Sequence, residues 1–140
     1  MRHLFFAFAV LWVLSATTAS AAALEARIDL SEQRMRVYEY GFLRYSWPVS
    51  TARRGYVTPV GTYRPQRLER MWYSKKYHHS PMPHSIFFRG GYAIHGTNAI
   101  KHLGHPASHG CVRLHPDNAA VLYRLVKSVG PRNVRIQVVR

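Results

Sequence analysis

Short runs of alternating apolar and polar residues follow one another through the first half of the chain. Residues 26–30 (ARIDL) and 35–40 (MRVYEY) alternate with a period of two, and Gly41 separates the second run from FLRYSWPVS. This alternation predicts half-buried strands. Residues 58–62 (TPVGT) predict a turn before another short extended segment, TYRP. The first half is therefore interpreted as a meander of short strands.

The pattern is less regular from Gln66 to Ser85. This stretch is polar, aromatic and rich in histidine, and Pro81 and Pro83 disfavour regular structure, so it is interpreted as a long loop. IFF and YAIHG on either side of Gly90-Gly91 predict a hairpin that ends near His95.

One helix is predicted after residue 115. Pro116 and Asp117 favour its start, four apolar residues recur at helical spacing on one face, and Gly130-Pro131 ends it. The apolar positions are Leu122, Leu125, Val126 and Val129. VRIQVVR then predicts a last strand. Together, these elements predict a mainly β (α+β) domain with one prominent helix.

The first 23 residues have the layout of a secretory signal peptide. A basic start precedes an apolar run over residues 4–14, and ATTASAAA offers cleavage after Ala21 or Ala23. Eleven apolar residues fall short of the roughly 20 that span a membrane. We therefore expect an exported protein without a stable membrane anchor after cleavage, with one domain over residues 24–140.

The net charge of the chain indicates which class of partner it binds. The chain has 20 Lys and Arg against 6 Asp and Glu, a formal net charge of +14. Such a balance favours anionic partners. Export disfavours intracellular nucleic acid and favours a cell-wall polymer that carries peptide carboxylates.

The single cysteine, Cys111 in SHGCVRL, has no partner for an intrachain disulfide. It is a nucleophile, a metal ligand or a buried apolar residue. His109, Arg113 and the start of the helix are expected to lower the pKa of its thiol. His95, at a strand end before a glycine, is the leading candidate for the base.

A third group should orient that base. The only acid after Glu69 is Asp117, which the helix start explains, so a backbone carbonyl or a hydroxyl is expected to hold His95. Gly110 permits a tight turn that directs backbone N–H groups at an oxyanion.

Zinc is the competing interpretation. Six candidate ligands lie within 21 residues: His95, His102, His105, His109, Cys111 and His115. Their spacing matches no standard zinc pattern, and no acidic residue in this region offers a general base for zinc-bound water. No metal is therefore predicted.

Two motifs resemble those of one enzyme family. IHGTN (residues 94–98) and SHGCVRL (residues 108–114) together resemble the L,D-transpeptidase catalytic (YkuD) domain of bacterial cell-wall enzymes. TPVGTY and MPHSIFFRGGYAIHG are similar to further parts of it, so the resemblance extends from about Ala26 to the end. It implies an L,D-transpeptidase-like β-sandwich of short strands whose prominent helix follows the catalytic cysteine.

The resemblance also implies roles for residues. Cys111 would be the nucleophile and His95 the proton donor and acceptor, without a cofactor. The oxyanion hole and pocket would come from Ser108, His109, Gly110, Gly96 and Thr97. Arg113 would pair with a substrate carboxylate. The loop over residues 72–84 is rich in aromatic and cationic residues, so it is expected to act as a lid that contacts substrate through Trp72, Tyr73, Tyr77 and His84.

The implied reaction is peptidoglycan cross-linking in the periplasm by a monomer, with stem peptides as donor and acceptor. Cys111 would form a thioester with the donor, and an amine of a second stem would take the acyl group. The alternative is an L,D-carboxypeptidase or amidase that uses the same site. The hypotheses from a different functional class are a non-catalytic basic wall-binding protein and a zinc protein.

Overall fold

The computed structural model describes residues 22–140, so the predicted signal peptide lies almost wholly outside the described residues. Within this range the chain forms two sheets and one long helix. In chain order the strands are β1 Leu24–Asp29, β2 Arg34–Glu39, β3 Phe42–Pro48, β4 Gly61–Tyr63, β5 Arg67–Tyr73, β6 Pro81–Arg89, β7 Tyr92–Gly96, β8 Val112–Leu114 and β9 Val134–Val139. The α-helix α1 spans Pro116–Val129, and short 3-10 turns cover Ile100–His102 and Pro131–Asn133.

The first sheet has the strand order β3-β2-β1-β9-β4. Strands β1, β2 and β9 alternate buried and less buried residues, as their period-two sequences predict. β9 pairs with β1 in parallel, with Ala26 opposite Ile136, so the two ends of the domain are joined at the centre of this sheet. The strands predicted from alternation are confirmed.

The second sheet, β5-β6-β7-β8, corrects the interpretation of residues 66–85 as a loop. β5 and β6 pair antiparallel along this stretch. Pro81 and Pro83 are tolerated because β7 pairs only with Ile86, Phe87 and Arg89, so the proline half of β6 has a strand neighbour on one side alone. The hairpin across Gly90-Gly91 is confirmed.

Helix α1 begins and ends as predicted. Pro116 occupies its first turn, the Nδ1 atom of His115 accepts the Asp117 N–H at 3.1 Å, and Gly130 follows its last residue with φ +87°. The helix packs on β6 and β7. Its buried residues join apolar side chains of both sheets in one core. No helix within residues 22–140 is long and apolar enough to cross a membrane.

Candidate active site

The register of two parallel strands brings Cys111 and His95 to one place. β7 and β8 pair in parallel with Ile94 opposite Val112 and His95 opposite Arg113. Cys111, directly before β8, therefore lies beside Ala93, two residues before His95 on the neighbouring strand β7. Cys111 and His95 both line a cavity of about 660 Å³. Residues sixteen positions apart in sequence thus share one site.

The Cys111 thiol is only partly exposed. Its Sγ lies 3.8 Å from the carbonyl oxygen of Gly91. Burial raises the pKa of the thiol, and the Ala93 amide and the charge of Arg113 oppose this only partly. The expected lowering of the pKa is therefore wrong, because burial outweighs the nearby positive charge. Such a thiol stays protonated at neutral pH and needs a base before it can attack.

His95 offers a neutral ring nitrogen that can accept that proton. Its ring is 6% exposed, and Nδ1 lies 2.7 Å from the carbonyl oxygen of Gly96. A carbonyl oxygen only accepts, so Nδ1 carries the hydrogen and Nε2 is left as a basic atom. Burial lowers the pKa of His95 to about 4, with a smaller contribution from the charge of Arg113. A backbone carbonyl, rather than a carboxylate, holds the imidazole, as predicted.

This buried neutral histidine makes stability depend on pH. The unfolded chain protonates His95 near its ordinary pKa of about 6.5, whereas the folded chain does so only near pH 4. As pH falls through that window the unfolded state binds the additional proton, so stability falls, by about 3 kcal/mol in total. Chemical denaturation from pH 7 to pH 4 should show a shallower decline in the His95→Gln variant. Parallel curves for the two proteins would contradict the assignment.

The turn before Cys111 is held by Ser108, which is fully buried. The Ser108 hydroxyl donates to the Cys111 carbonyl at 2.6 Å and accepts the Gly110 N–H at 3.0 Å. The Gly110 amide is thus engaged inside its own turn and does not face an oxyanion. Of the backbone N–H groups at this turn, that of Cys111 remains the candidate.

Gly110 itself is fixed by conformation and by space. Its φ of +135° lies in the region that favours glycine. A Cβ atom would lie 2.7 Å from Cε1 of Tyr92 and 2.9 Å from the Val57 carbonyl oxygen. The Gly110 carbonyl accepts the hydroxyl of Thr58 at 2.8 Å. Backbone and neighbours therefore set the position of the next residue, Cys111.

A buried hydrogen-bond chain ties this turn to the first sheet. The Thr51 carbonyl accepts the Ser108 N–H at 2.9 Å. Gln33, in the turn between β1 and β2, binds Thr51 twice: Nε2 donates to its hydroxyl at 2.6 Å and Oε1 accepts its N–H at 2.9 Å. Sequence reasoning missed Gln33 and Thr51, because no local pattern marks a glutamine that acts across two sheets. Thr58 belonged to a motif that was noticed without a role.

The predicted pocket residues divide into two groups. Thr97, Ser108, His109, Arg113, Trp72 and Tyr77 line the cavity with Cys111 and His95. Gly96 does not line it: a Cβ there would meet Pro116 Cα at 3.2 Å, so its small size serves the packing of α1, and its carbonyl serves His95.

Two of the predicted substrate-binding residues lie outside the cavity. Tyr73 is 54% exposed and does not line it. His84 lies against Tyr123 of α1, with ring centroids 5.2 Å apart, and lines a different groove. The reason is that residues 72–84 are not one loop but the two arms and tip of the β5–β6 hairpin, whose arms direct side chains to different surfaces.

The hairpin tip, residues 74–80, contacts the rim of the cavity. The Tyr77 ring stacks on His109 at a centroid distance of 4.2 Å, and Tyr56 packs against the same imidazole at 4.7 Å. His109 is thereby engaged between two aromatic rings. Burial and the charges of Arg53, Arg113 and Lys76 lower its pKa. This position indicates that His109 forms part of the cavity wall and supports the hairpin tip, and that it is not the base for Cys111.

The cavity is cationic with an apolar wall. Arg67, Lys75, Lys76 and Arg113 line it, and among its described lining residues there is no Asp or Glu. The Arg67 guanidinium lies 4.0 Å from the Phe87 ring centroid. Positive charge beside apolar surface suits an acyl substrate that carries carboxylates. Within residues 22–140, no group of three or more His, Cys, Asp or Glu side chains is arranged to hold a metal ion.

A protonated cysteine directly before β8 and a neutral histidine on the parallel strand β7 define a cysteine–histidine site on a two-sheet β domain. Residues 25–136 match the family model of the L,D-transpeptidase catalytic domain, and the chain belongs to that family. The described architecture, mainly strands in two sheets with one prominent helix, is the one that the resemblance implied.

Solved structures of similar fold carry the same description. An L,D-transpeptidase from Stackebrandtia nassauensis is 28% identical, with a TM-score of 0.75 over 91% of this chain and 61% of that one. One from Mycobacterium smegmatis is 22% identical, with a TM-score of 0.76 over 85% and 59%. L,D-transpeptidase 3 from Mycobacterium tuberculosis, in complex with a faropenem-derived adduct, is 20% identical, with a TM-score of 0.71 over 84% and 60%.

The chain spans about 60% of the length of these relatives. No curated protein sequence matches it.

Proposed function

We propose that this protein is a peptidoglycan L,D-transpeptidase that forms cross-links through a thioester on Cys111. The observation that carries the proposal is the β7–β8 register, which puts the thiol and a neutral imidazole in one cationic cavity. Membership of the L,D-transpeptidase catalytic domain family supports the reaction class.

In the first half-reaction, His95 Nε2 accepts the proton of Cys111 as Sγ attacks the donor-stem carbonyl next to the terminal D-residue. The Cys111 amide is the proposed donor to the oxyanion. His95 then gives the proton to the nitrogen of the leaving D-amino acid, the C–N bond breaks and a thioester remains. Because the resting pair is uncharged, proton transfer accompanies attack instead of preceding it.

In the second half-reaction, the side-chain amine of another stem attacks the thioester. His95 takes a proton from this amine and returns it to the Cys111 sulfur, and the new amide is the cross-link. Arg113 is proposed to pair with a stem carboxylate, and Trp72 and Tyr77 to contact the peptide from the cavity wall. No metal or cofactor is required by these steps.

Product analysis tests the proposal. Purified protein incubated with disaccharide tetrapeptide muropeptides is expected to yield L,D-linked dimers and free D-amino acid, resolved by chromatography and mass spectrometry. Trimmed monomers without dimers would assign the site to the alternative, an L,D-carboxypeptidase, and amidated monomers in the presence of ammonia would indicate exchange chemistry. Faropenem offers a second readout, because a covalent adduct on the protein is expected by intact mass.

The cellular setting is also part of the proposal. Action on peptidoglycan requires a location outside the cytoplasm, and the apolar run of residues 4–14 supports export to the periplasm. We infer that the protein acts as a monomer on stem peptides and that its positive charge holds it near the acidic wall polymer.

A further inference from the structure

A second groove lies between strands β5 and β6 and helix α1, and it shares no lining residue with the cavity that holds Cys111. Its volume is about 320 Å³, and its lining residues are Arg70, His84, Tyr123, Arg124 and Lys127. This volume lies at the lower end of the roughly 300–1,000 Å³ of small-ligand sites. The groove therefore has room for a small group.

Two structural elements supply its cations. The strand pairs Glu69–Ser85 and Met71–Pro83 lie on either side of Arg70 and His84, which therefore face each other across β5 and β6. Arg124 and Lys127 are three residues apart on α1 and so lie on one helix face.

Tyr123 forms the buried floor of the groove. Its ring centroid is 5.2 Å from that of His84 and 5.8 Å from the Lys127 ammonium nitrogen. His84 has a left-handed backbone, with φ +51°, which is uncommon for a residue with a side chain. Strained backbone of this kind is concentrated at binding and catalytic sites.

Among the described residues that line this groove, none carries a negative charge to balance its cations. The six acidic side chains of the chain all lie within residues 22–140 and none lines the groove: Glu25, Glu32, Glu39 and Glu69 pair with other arginines, Asp29 accepts a hydrogen bond from Ser31, and Asp117 lies at the start of α1. Three permanent cations therefore converge on one depression without a carboxylate. Burial and the charges of Arg70 and Arg124 lower the pKa of His84, so its ring is a neutral hydrogen-bonding group at neutral pH.

We propose that this groove binds the dianionic phosphate group of a soluble ligand, a phosphate monoester or a diphosphate. Guanidinium groups bind phosphate through paired hydrogen bonds, and Arg70 and Arg124 approach from two sides. A dianion balances three cations better than a single carboxylate does. This site is separate from the proposed transpeptidase reaction and does not depend on it.

Titration of the ¹⁵N-labelled protein with sodium pyrophosphate at constant ionic strength tests the site. Saturable amide shifts are expected at residues 70, 84, 123, 124 and 127, with none at equal concentrations of sodium acetate. In the variant Arg70→Gln/Arg124→Gln the affinity for pyrophosphate should fall by at least about tenfold, because charge-assisted hydrogen bonds are lost.

The matched control is Arg27→Gln/Arg64→Gln, which removes two exposed positive charges, one on β1 and one directly after β4. Its affinity should stay within about twofold of the wild type, as expected for distant surface charges. Equal weakening in both double variants would reduce the effect to net charge and overturn the proposal. Equal shifts with acetate would also overturn it. Binding only to phosphatidylglycerol vesicles, with no response to pyrophosphate, would reassign the groove to a lipid surface.

Discussion

Replacing Cys111 by alanine is expected to abolish thioester formation and cross-linking while the fold is retained. The thiol is the only sulfur nucleophile in the chain, and loss of a nucleophile typically slows such reactions on the order of 10⁴-fold or more. Cys111 packs at the edge of a small cluster with Met82, Phe87 and Ala93, so its truncation should cost little stability. Intact mass spectrometry with a tetrapeptide donor measures the adduct. A persistent adduct in Cys111→Ala would place the nucleophile elsewhere.

Two further variants distinguish the contribution of the Cys111 thiol from that of its base. His95→Ala keeps Cys111 but removes the proton acceptor, and we expect acylation to slow about 10²- to 10⁴-fold. His109→Ala removes the other imidazole of the cavity, which is stacked between Tyr56 and Tyr77, and should slow acylation less than about tenfold. The reverse order of effects would make His109 the base.

The alternation of apolar and polar residues predicted the strands that bury one face in the core. β1, β2 and β9 bury alternate residues, and α1 buries one stripe, so their hydrophobic patterns reflect the core directly. β5 is different, because none of its residues is buried, so its sequence carries no alternation to detect. β6 begins with prolines that usually exclude a strand. Pairing with the neighbouring strands, rather than local preference, decides these two elements.

The motifs predicted which residues lie together in the site, but not the protonation states of those residues. IHGTN and SHGCVRL indicated His95 and Cys111, and the parallel register of β7 and β8 brings them into one cavity. The pKa of the thiol was expected to be lowered, since Arg113 and His109 are adjacent in sequence. The extent of burial, which raises that pKa, depends on how Cys111 packs with Met82 and Phe87 of β6 and Ala93 of β7, and no local sequence pattern encodes it.

A raised thiol pKa and a lowered imidazole pKa together favour an uncharged resting pair. In papain-like sites a thiolate–imidazolium pair is formed before substrate arrives. Here both shifts arise mainly from burial, which disfavours either charged form. A protonated thiol reacts more slowly with oxidants than a thiolate does, which would be an advantage for a lone cysteine in the oxidising compartment that the proposed export implies. The cost is that deprotonation must be coupled to attack on the substrate.

Gly110→Ala is expected to reduce acylation by Cys111 to a few per cent or less of the wild-type rate, because a misplacement of about 1 Å can cost on the order of 10²-fold. The new methyl group would lie 2.7 Å from Tyr92 and 2.9 Å from the Val57 carbonyl oxygen, and φ would have to leave +135°. Either change moves the turn that positions Cys111. Single-turnover acylation with a donor stem measures the loss, and circular dichroism checks that the two sheets persist.

Gly104→Ala is the matched control for this substitution. Gly104 also has a positive φ, +90°, but a Cβ there would meet no atom within 4 Å. It therefore carries the same kind of backbone strain without the clash, and its acylation rate should stay within a few-fold of the wild type. The double variant Gly110→Ala/Tyr92→Ala removes the contact with the ring but not that with the Val57 carbonyl, so it should recover only part of the lost rate. Full activity in Gly110→Ala would show that the turn around Cys111 tolerates displacement and that its fixed geometry is not what makes the thiol reactive.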